Sequence, residues 1–128
     1  MEKKSSLQTG RGRYLEALLN ACPDAIIAID AEGKITFVNQ LACELTEREM
    51  HELVGQGITI VYSSPEAARE TNRKLYLGEG TIHKHESMAK TKKGNIIPVR
   101  ISACHLKDSS GNYTGAVGYF QSTKTLMV

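Results

Sequence analysis

Tryptophan is absent from this chain of 128 residues, and phenylalanine occurs only at Phe37 and Phe120. The three cysteines, Cys22, Cys43 and Cys104, are widely separated and form no CxxC pair. This spacing excludes a disulfide framework and a cysteine-rich zinc site, and it favours a reducing compartment. A c-type haem is also disfavoured, because its covalent attachment needs a CxxCH motif.

The chain also lacks a strong excess of charge and a long apolar run. Its 16 basic and 14 acidic residues leave a net charge of +2, whereas nucleic-acid binding needs basic residues clustered on one face. Its apolar runs are too short to span a bilayer, and the N-terminus has no secretory signal. We therefore expect a cytoplasmic protein with no nucleic-acid partner and no membrane partner.

The length fits one domain, which can bury a core without disulfides or metals. A strand hairpin, then helices, then three strands is an order typical of an α+β fold. We predict a flexible leader over residues 1–13, a single domain over 14–122 and a C-terminal tail over 123–128.

An amphipathic helix is predicted over residues 14–22, and Pro23 ends it. Its apolar residues recur at helical spacing and form one stripe. The stripe consists of Tyr14, Leu15, Leu18, Leu19 and Cys22. Two interpretations stay open, and both can hold: the stripe packs on the domain's own sheet, or it contacts a second copy in a homodimer.

A hairpin is predicted next, with strands over Ala25–Asp30 and Lys34–Val38 and Gly33 in the turn. Asn39 is expected to cap a short helix that runs through Leu45. The Thr46-Glu47-Arg48-Glu49 sequence predicts a capping box, in which the Thr46 hydroxyl contacts the Glu49 amide.

A longer helix is predicted from Pro65 to Leu77, because Ser64 can cap it and Pro65 suits its first position. Gly78 and the residues after it end the helix. Three strands then follow, joined by turns that contain Gly94 and Gly111. Their predicted ranges are Thr81–Lys90, Ile96–Leu106 and Tyr113–Gln121.

In this order, several short motifs together resemble a PAS domain, and the resemblance spans about Tyr14 to Gln121. The motifs are Pro23-Asp24-Ala25-Ile26, Asp30-x-x-Gly33, Val38-Asn39, Lys92-Lys93-Gly94 and Gly115-x-Val117-Gly118. The resemblance implies a five-stranded antiparallel sheet in the order 2-1-5-4-3. It also implies short helices on one face of the sheet and a pocket between the two.

PAS domains are regulatory, so the resemblance implies a sensory or interaction module of a histidine kinase, a cyclase or a transcriptional regulator. PAS domains bind small ligands or cofactors, or serve as dimerisation modules. We expect a homodimer, whereas the resemblance leaves the binding of a small molecule open, and we expect the downstream effector to lie outside this sequence. Many PAS domains end in Asp-x-Thr, whereas this chain has Gln121-Ser122-Thr123. Coupling through that motif is therefore not expected. A stand-alone regulator without a ligand is an alternative.

The cofactor is unknown from sequence. A flavin–thiol adduct is disfavoured, because residues 50–57 lack the cysteine that flavin photoreceptors of this family carry. The helix Pro65–Leu77 lacks the histidine of oxygen-sensing haem members. His83 and His85, two apart on one strand, leave a haem- or metal-linked sensor as an alternative, but exposed strand histidines are the favoured interpretation and no metal ligand is assigned.

The expected pocket wall consists of apolar residues from the helices and the last three strands. They are Met50, Leu53, Ile58, Leu75, Met88, Val99, Ile101 and Ala103. The same residue types form filled cores, and the sequence favours a filled core. No catalytic residue is predicted, because neighbouring Cys104 and His105 point to opposite faces of a strand, and we expect no enzymatic activity.

Overall fold

The computed structural model describes residues 10–123. Within them, the helices are α1 Gly10–Ala21, α2 Gln40–Thr46, α3 Met50–Leu53 and α4 Pro65–Leu77, with a 3-10 helix, Ile58–Val61, before α4. The strands are β1 Ala25–Asp30, β2 Ile35–Val38, β3 Thr81–Lys90, β4 Ile96–Lys107 and β5 Tyr113–Ser122. The α+β class is confirmed. Of the predicted flexible leader over 1–13, residues 1–9 lie outside the described residues, and residues 10–13 belong to α1 and not to a leader. Of the predicted tail over 123–128, residues 124–128 lie outside the described residues.

The five strands form one antiparallel sheet in the order β2-β1-β5-β4-β3. β5 lies in the middle, and it pairs with β1 on one side and with β4 on the other. This arrangement confirms the sheet order that the resemblance implies. The last strand thus closes the sheet by joining the N-terminal hairpin to the C-terminal pair.

The core lies between one face of this sheet and the helices that follow β2. Along β4, Val99 and Ile101 are each 1% exposed, whereas Arg100 between them is exposed. The alternation follows from the two-residue period of a strand, which sends neighbouring side chains to opposite faces. One face of the sheet is therefore packed against helices, and we call the opposite face the outer face.

Helix α1 begins at Gly10, four residues before the predicted start at Tyr14, and it ends at Ala21. The predicted start lies too far along the chain because it was placed at the first apolar residue, whereas backbone hydrogen bonds can extend a helix through residues that are not apolar. Cys22 follows the helix, and its amide donates to the carbonyl of Leu19.

Asn39 caps α2 as predicted, and its buried amide also connects three elements. Its Oδ1 accepts hydrogen bonds from the amides of Ala42, at 3.0 Å, and Ile26, at 2.9 Å. Its Nδ2 donates to the carbonyls of Leu19, at 3.1 Å, and Asp24, at 3.0 Å. One side chain therefore fixes the end of α1, the start of β1 and the start of α2 relative to one another.

The capping box predicted at Thr46 is wrong. Thr46 is the last residue of α2, and its hydroxyl donates to the Ala42 carbonyl at 2.8 Å. The box lies three residues later, where Glu49 caps α3 and its amide donates to the Glu52 carboxylate at 2.8 Å. Because α2 continues to Thr46, that hydroxyl bonds back into its own helix and is not free to cap the next one.

A β-bulge interrupts β3 between Ile82 and His85. Ile82 pairs with Ala103 and His85 pairs with Ile101, so β3 has one more residue than β4 across this interval. Lys84 there has a φ of 53°, and its amide donates to the Ser102 hydroxyl. Among the described residues, the search for a helix long and apolar enough to cross a membrane found none.

Candidate functional site

A cavity of about 300 Å³ lies between the packed face of the sheet and α4. The sheet contributes Ile27, Ile101, Ala103, Ala116, Gly118 and Phe120 to its wall. The helical side contributes Ile58, Tyr62, Ala68, Thr71 and Leu75. Most of these side chains are buried, so this part is the inner end of the cavity.

The cavity exists because small residues occupy the positions where the sheet faces α4. Ala103 and Ala116 lie on neighbouring strands, and Ala68 lies on the helix opposite them. At Gly118 an added Cβ would lie 3.1 Å from the ring of Phe120, so this position favours glycine. A filled core was favoured from the sequence, but these positions leave space that larger side chains would close.

The mouth of the cavity is formed by exposed residues. Glu32 and its neighbours Ala31 and Gly33, in the β1–β2 turn, form one side of it. Tyr76 from α4 and Tyr113 from β5 form the other side. A molecule could therefore enter between this turn and the two tyrosines.

Two buried hydroxyl groups lie in the inner wall. Tyr62 is 5% exposed and Thr71 is 6% exposed. The Thr71 hydroxyl donates to the carbonyl of Ala67, one turn earlier in α4, at 3.1 Å. Burial raises the pKa of Tyr62 to about 12, although the nearby Thr71 side chain acts in the opposite direction. Tyr62 is therefore a neutral phenol at physiological pH. Among residues 10–123, no lysine or arginine lines the cavity, so the wall suits neutral molecules.

His105 lies behind the mouth, between two aromatic rings. Its ring centroid is 5.4 Å from that of Tyr76 and 4.8 Å from that of Tyr113, and both contacts are edge-to-face. Burial lowers the pKa of His105, and nearby Lys107 lowers it further. The neutral ring thus holds the two tyrosines of the mouth in place. The neighbouring Cys104 carries a free thiol.

The predicted pocket residues fall into three groups. Ile58, Leu75, Ile101 and Ala103 line the cavity together. Leu53 and Val99 are almost fully buried in the core but do not line it. Met50 and Met88 are 49% and 45% exposed and lie away from it, because α3 and the edge strand β3 turn these side chains to the surface.

Sequence reasoning missed Tyr62, Thr71 and Phe120 as wall residues. Tyr62 directly follows the 3-10 helix Ile58–Val61, which the sequence analysis did not predict. Thr71 lies on the same face of α4 as Ala68 and Leu75, at spacings of three and four residues. That helical spacing is a signal that could have identified Thr71 beside the predicted Leu75.

The bulge in β3 removes the basis for pairing His83 with His85, because simple alternation does not continue across it. His83 is exposed, whereas His85 is half-buried and burial lowers its pKa. Within residues 10–123, no group of three His, Cys, Asp or Glu side chains is arranged to hold a metal ion.

The predicted dimer stripe is largely accessible on α1. Tyr14, Leu15 and Leu18 are 68%, 50% and 51% exposed. Leu19 and Cys22 are half-buried. The two halves of the stripe therefore differ, since the end near Asn39 is packed and the first part is open to solvent.

Comparisons with known proteins agree with this architecture. A family model described as the PAS fold matches residues 13–122. Among solved structures, a PAS domain from Colwellia psychrerythraea superimposes with a TM-score of 0.76 at 17% identity, over 86% of this chain and 94% of that one. No curated protein matches the chain.

Two further similar structures come from signalling proteins. A PAS domain of a two-component sensor histidine kinase gives a TM-score of 0.75 at 13% identity, over 88% of this chain and 96% of that one. The PAS domain of a LuxR-family transcriptional regulator from Burkholderia thailandensis, in complex with ethanol, gives 0.70 at 12% identity, over 86% and 97%. At these identities the likeness shows the shared fold.

Proposed function

Because this chain belongs to the PAS-fold family, we propose that it is a sensory module of a signalling protein and binds a small neutral molecule in the cavity beneath α4. The effector that it controls is a histidine kinase, a cyclase or a transcriptional regulator. The histidine kinase and the LuxR-family regulator among its structural neighbours support this range. The free thiols of Cys22, Cys43 and Cys104 suit work in a reducing cytoplasm.

The cavity is the observation that carries the proposal. Protein interiors are close-packed, so a space of about 300 Å³ is unusual in a core that serves stability alone. It combines an apolar wall with a few buried polar groups, and small-molecule sites share this composition. Its volume lies at the lower end of the range for ligand pockets, about 300–1,000 Å³.

Native mass spectrometry after purification without denaturation tests ligand binding. We expect added mass on the wild-type protein, either as purified or after incubation with small alcohols and aromatic compounds. Ala103→Phe fills the cavity from β4 and should abolish the added mass. Leu106→Phe changes the outer face of the same strand and should retain it. A wild-type protein that stays bare with every compound would contradict the proposal.

We also propose that the module forms a homodimer through α1. Tyr14, Leu15 and Leu18 place apolar side chains in water on one stripe of this helix, and burial against a second copy would remove them from solvent. Two hydrogen bonds fix the end of the helix to the domain. The side-chain amide of Asn39 donates to the Leu19 carbonyl, and the backbone amide of Gln40 donates to the side-chain oxygen of Asn20. The open part of the stripe is thus held in a defined position.

Sedimentation velocity of a matched pair of variants tests the dimer. Leu18→Asp places a charge in the stripe and should convert the dimer to a monomer without loss of the folded domain. Leu77→Asp introduces the same charge at a leucine that is 70% exposed at the end of α4, and it should leave the dimer intact. A Leu18→Asp protein that stays dimeric would exclude α1 as the interface.

A further inference from the structure

The two hydroxyl groups of the inner wall differ in what happens to their protons. The Thr71 hydroxyl carries a single proton, and it donates this proton to the Ala67 carbonyl within α4. Among residues 10–123, no group accepts a hydrogen bond from the Tyr62 hydroxyl. Thr71 acts to lower the pKa of Tyr62, whereas a group that accepted the phenol proton would raise it. Tyr62 therefore keeps a proton that no group of the described chain accepts.

The oxygen of Tyr62 faces open space and is not sealed in the core. In residues 10–123, the fully buried side-chain atoms without a hydrogen-bond partner are Arg48 Nη1, His85 Nε2 and His105 Nε2. The Tyr62 oxygen is not among them, so it retains accessible surface. Since Tyr62 is 5% exposed and lines the cavity beside Thr71, this surface faces the cavity.

We infer that Tyr62 determines which ligands the cavity accepts, because its free O–H donates to an oxygen acceptor at the buried end of a neutral molecule. A ketone, an ester or an ether carries such an acceptor, whereas a hydrocarbon would leave the phenol proton unpaired. A carboxylate would also accept, but no lysine or arginine among residues 10–123 lines the wall to balance its charge. This inference rests on the proposed function, because it requires that the cavity binds a ligand.

The position of Tyr62 makes it more selective than the polar groups at the mouth. Asn72, Tyr76 and Tyr113 also line the cavity and can donate, but all three are exposed. Water satisfies an exposed donor before a ligand arrives, so the net gain from a new hydrogen bond there is small. A buried donor that remains unpaired carries a larger cost, and Tyr62 is the donor in that position.

Two bicyclic compounds of nearly equal shape, indan-1-one and indane, test the inference by calorimetry. A dry cavity of about 150 Å³ can hold benzene, so a cavity of about 300 Å³ has room for either compound. Tyr62→Phe removes only the hydroxyl. It should weaken binding of the ketone about five- to tenfold, the scale of one neutral hydrogen bond, and leave binding of indane unchanged.

Tyr119→Phe is the matched control, because it removes a hydroxyl of the same kind outside the site. Tyr119 precedes the wall residue Phe120 in β5, so its side chain points to the outer face, and it is 40% exposed. This variant should bind both compounds as the wild-type protein does. Unchanged binding of indane by Tyr62→Phe would show that the cavity keeps its shape.

Infrared spectroscopy of the bound ketone reports on the hydrogen bond itself. A donor to the carbonyl oxygen weakens the C=O bond, so the C=O stretch of indan-1-one in the wild-type protein should lie below its frequency in cyclohexane. Tyr62→Phe should return the stretch to the cyclohexane frequency, and Tyr119→Phe should keep it lowered. The measurement on the wild-type protein stands even if a variant fails to fold.

The outcomes separate the inference from the proposed function. If the wild-type protein binds both compounds but the bound ketone keeps its cyclohexane frequency, the cavity is a ligand site and the donor role of Tyr62 is overturned. The same holds if Tyr62→Phe weakens both compounds equally or neither. If neither compound binds the wild-type protein, ligand binding in this cavity fails and the inference fails with it.

Discussion

Two hairpin turns in this protein have the same construction but different surroundings. Asp30 begins the turn between β1 and β2, and its Oδ1 accepts from the amides of Glu32 and Lys34 at 2.9 and 3.0 Å. Asp108 begins the turn between β4 and β5, and its Oδ1 accepts from the amides of Ser110 and Asn112, both at 2.9 Å. The two carboxylates thus organise their turns alike.

The surroundings separate these turns. Residues 31–33 form part of the cavity mouth, whereas residues 108–112 do not line the cavity. Local sequence therefore determines the geometry of both turns, whereas the β1–β2 turn becomes part of a candidate site because it lies beside Ile58 at the cavity, where the Ile58 amide donates to the Gly33 carbonyl. The same substitution made in each turn separates turn geometry from membership of the candidate site. An effect on turn geometry should appear in both variants, whereas an effect on the candidate site should appear only in the variant of the β1–β2 turn.

The largest expected effect is on stability and is shared by both turns. Gly33 and Gly111 have φ values of 82° and 86°, and an added Cβ would meet nothing within 4 Å at either position. Gly33→Val and Gly111→Val should each lower the free energy of unfolding by about 1–3 kcal/mol, because a β-branched residue is strained at such a φ. Urea denaturation measures this. A large loss for only one variant would show that the turns are not equivalent.

The second effect should distinguish the turns. Relief of strain at Gly33 moves residues 31–33, which are part of the cavity mouth. Gly33→Val should therefore weaken the binding of a small aromatic compound such as indane by about threefold, or under 1 kcal/mol, whereas Gly111→Val should leave it unchanged. Calorimetry at a temperature where both variants are folded makes the comparison. An equal loss of affinity in the two variants would mean that reduced stability, and not the mouth, is responsible.

The turns also show how far the sequence was informative. The Asp-x-x-Gly pattern predicted the first turn, because the side chain and the glycine act within five residues. The turn between β3 and β4 uses the Thr91 hydroxyl in a similar way, accepting from the Asn95 amide at 3.0 Å. The sheet order needed the family resemblance, since the pairing of β1 with β5 joins residues about ninety positions apart.

The cavity was less predictable than the turns. Tyr62 and Thr71 come together from different elements, and the space between α4 and the sheet depends on small residues such as Ala103 and Gly118. No local pattern contains that information. The bulge at Lys84 was also missed, because its positive φ occurs at a lysine and not at glycine or asparagine, which usually mark such a conformation.

A third effect concerns pH and is again common to both turns. The pKa of each carboxyl is lowered mainly by a hydrogen bond from a backbone amide. Lys34 donates this bond to Asp30, and Asn112 donates it to Asp108. A lowered pKa in the folded state stabilises the protein above the unfolded pKa of about 3.9, and this contribution disappears as the pH falls through the folded value.

Asp30→Asn and Asp108→Asn should therefore reduce stability at pH 7. The difference from the wild-type protein should shrink below about pH 4, where the wild-type carboxyls gain protons. Urea denaturation at pH 7, 4 and 2.5 measures this. If each variant is less stable than the wild-type protein by the same amount at all three pH values, the carboxylate charge contributes nothing to the stability of the turns.

The smallest effect should distinguish the turns by their response to salt. The charge of Lys34 also lowers the pKa of Asp30, whereas no charged neighbour contributes at Asp108. In 1 M salt the Debye length is about 3 Å, which screens exposed charges but leaves short hydrogen bonds in place. The deficit of Asp30→Asn at pH 7 should therefore decrease on addition of 1 M NaCl, while that of Asp108→Asn stays constant. In a Lys34→Gln background, the stability lost through Asp30→Asn should no longer depend on salt. If salt changes the stability losses of Asp30→Asn and Asp108→Asn equally while Lys34 is present, Lys34 is not the source of the salt effect.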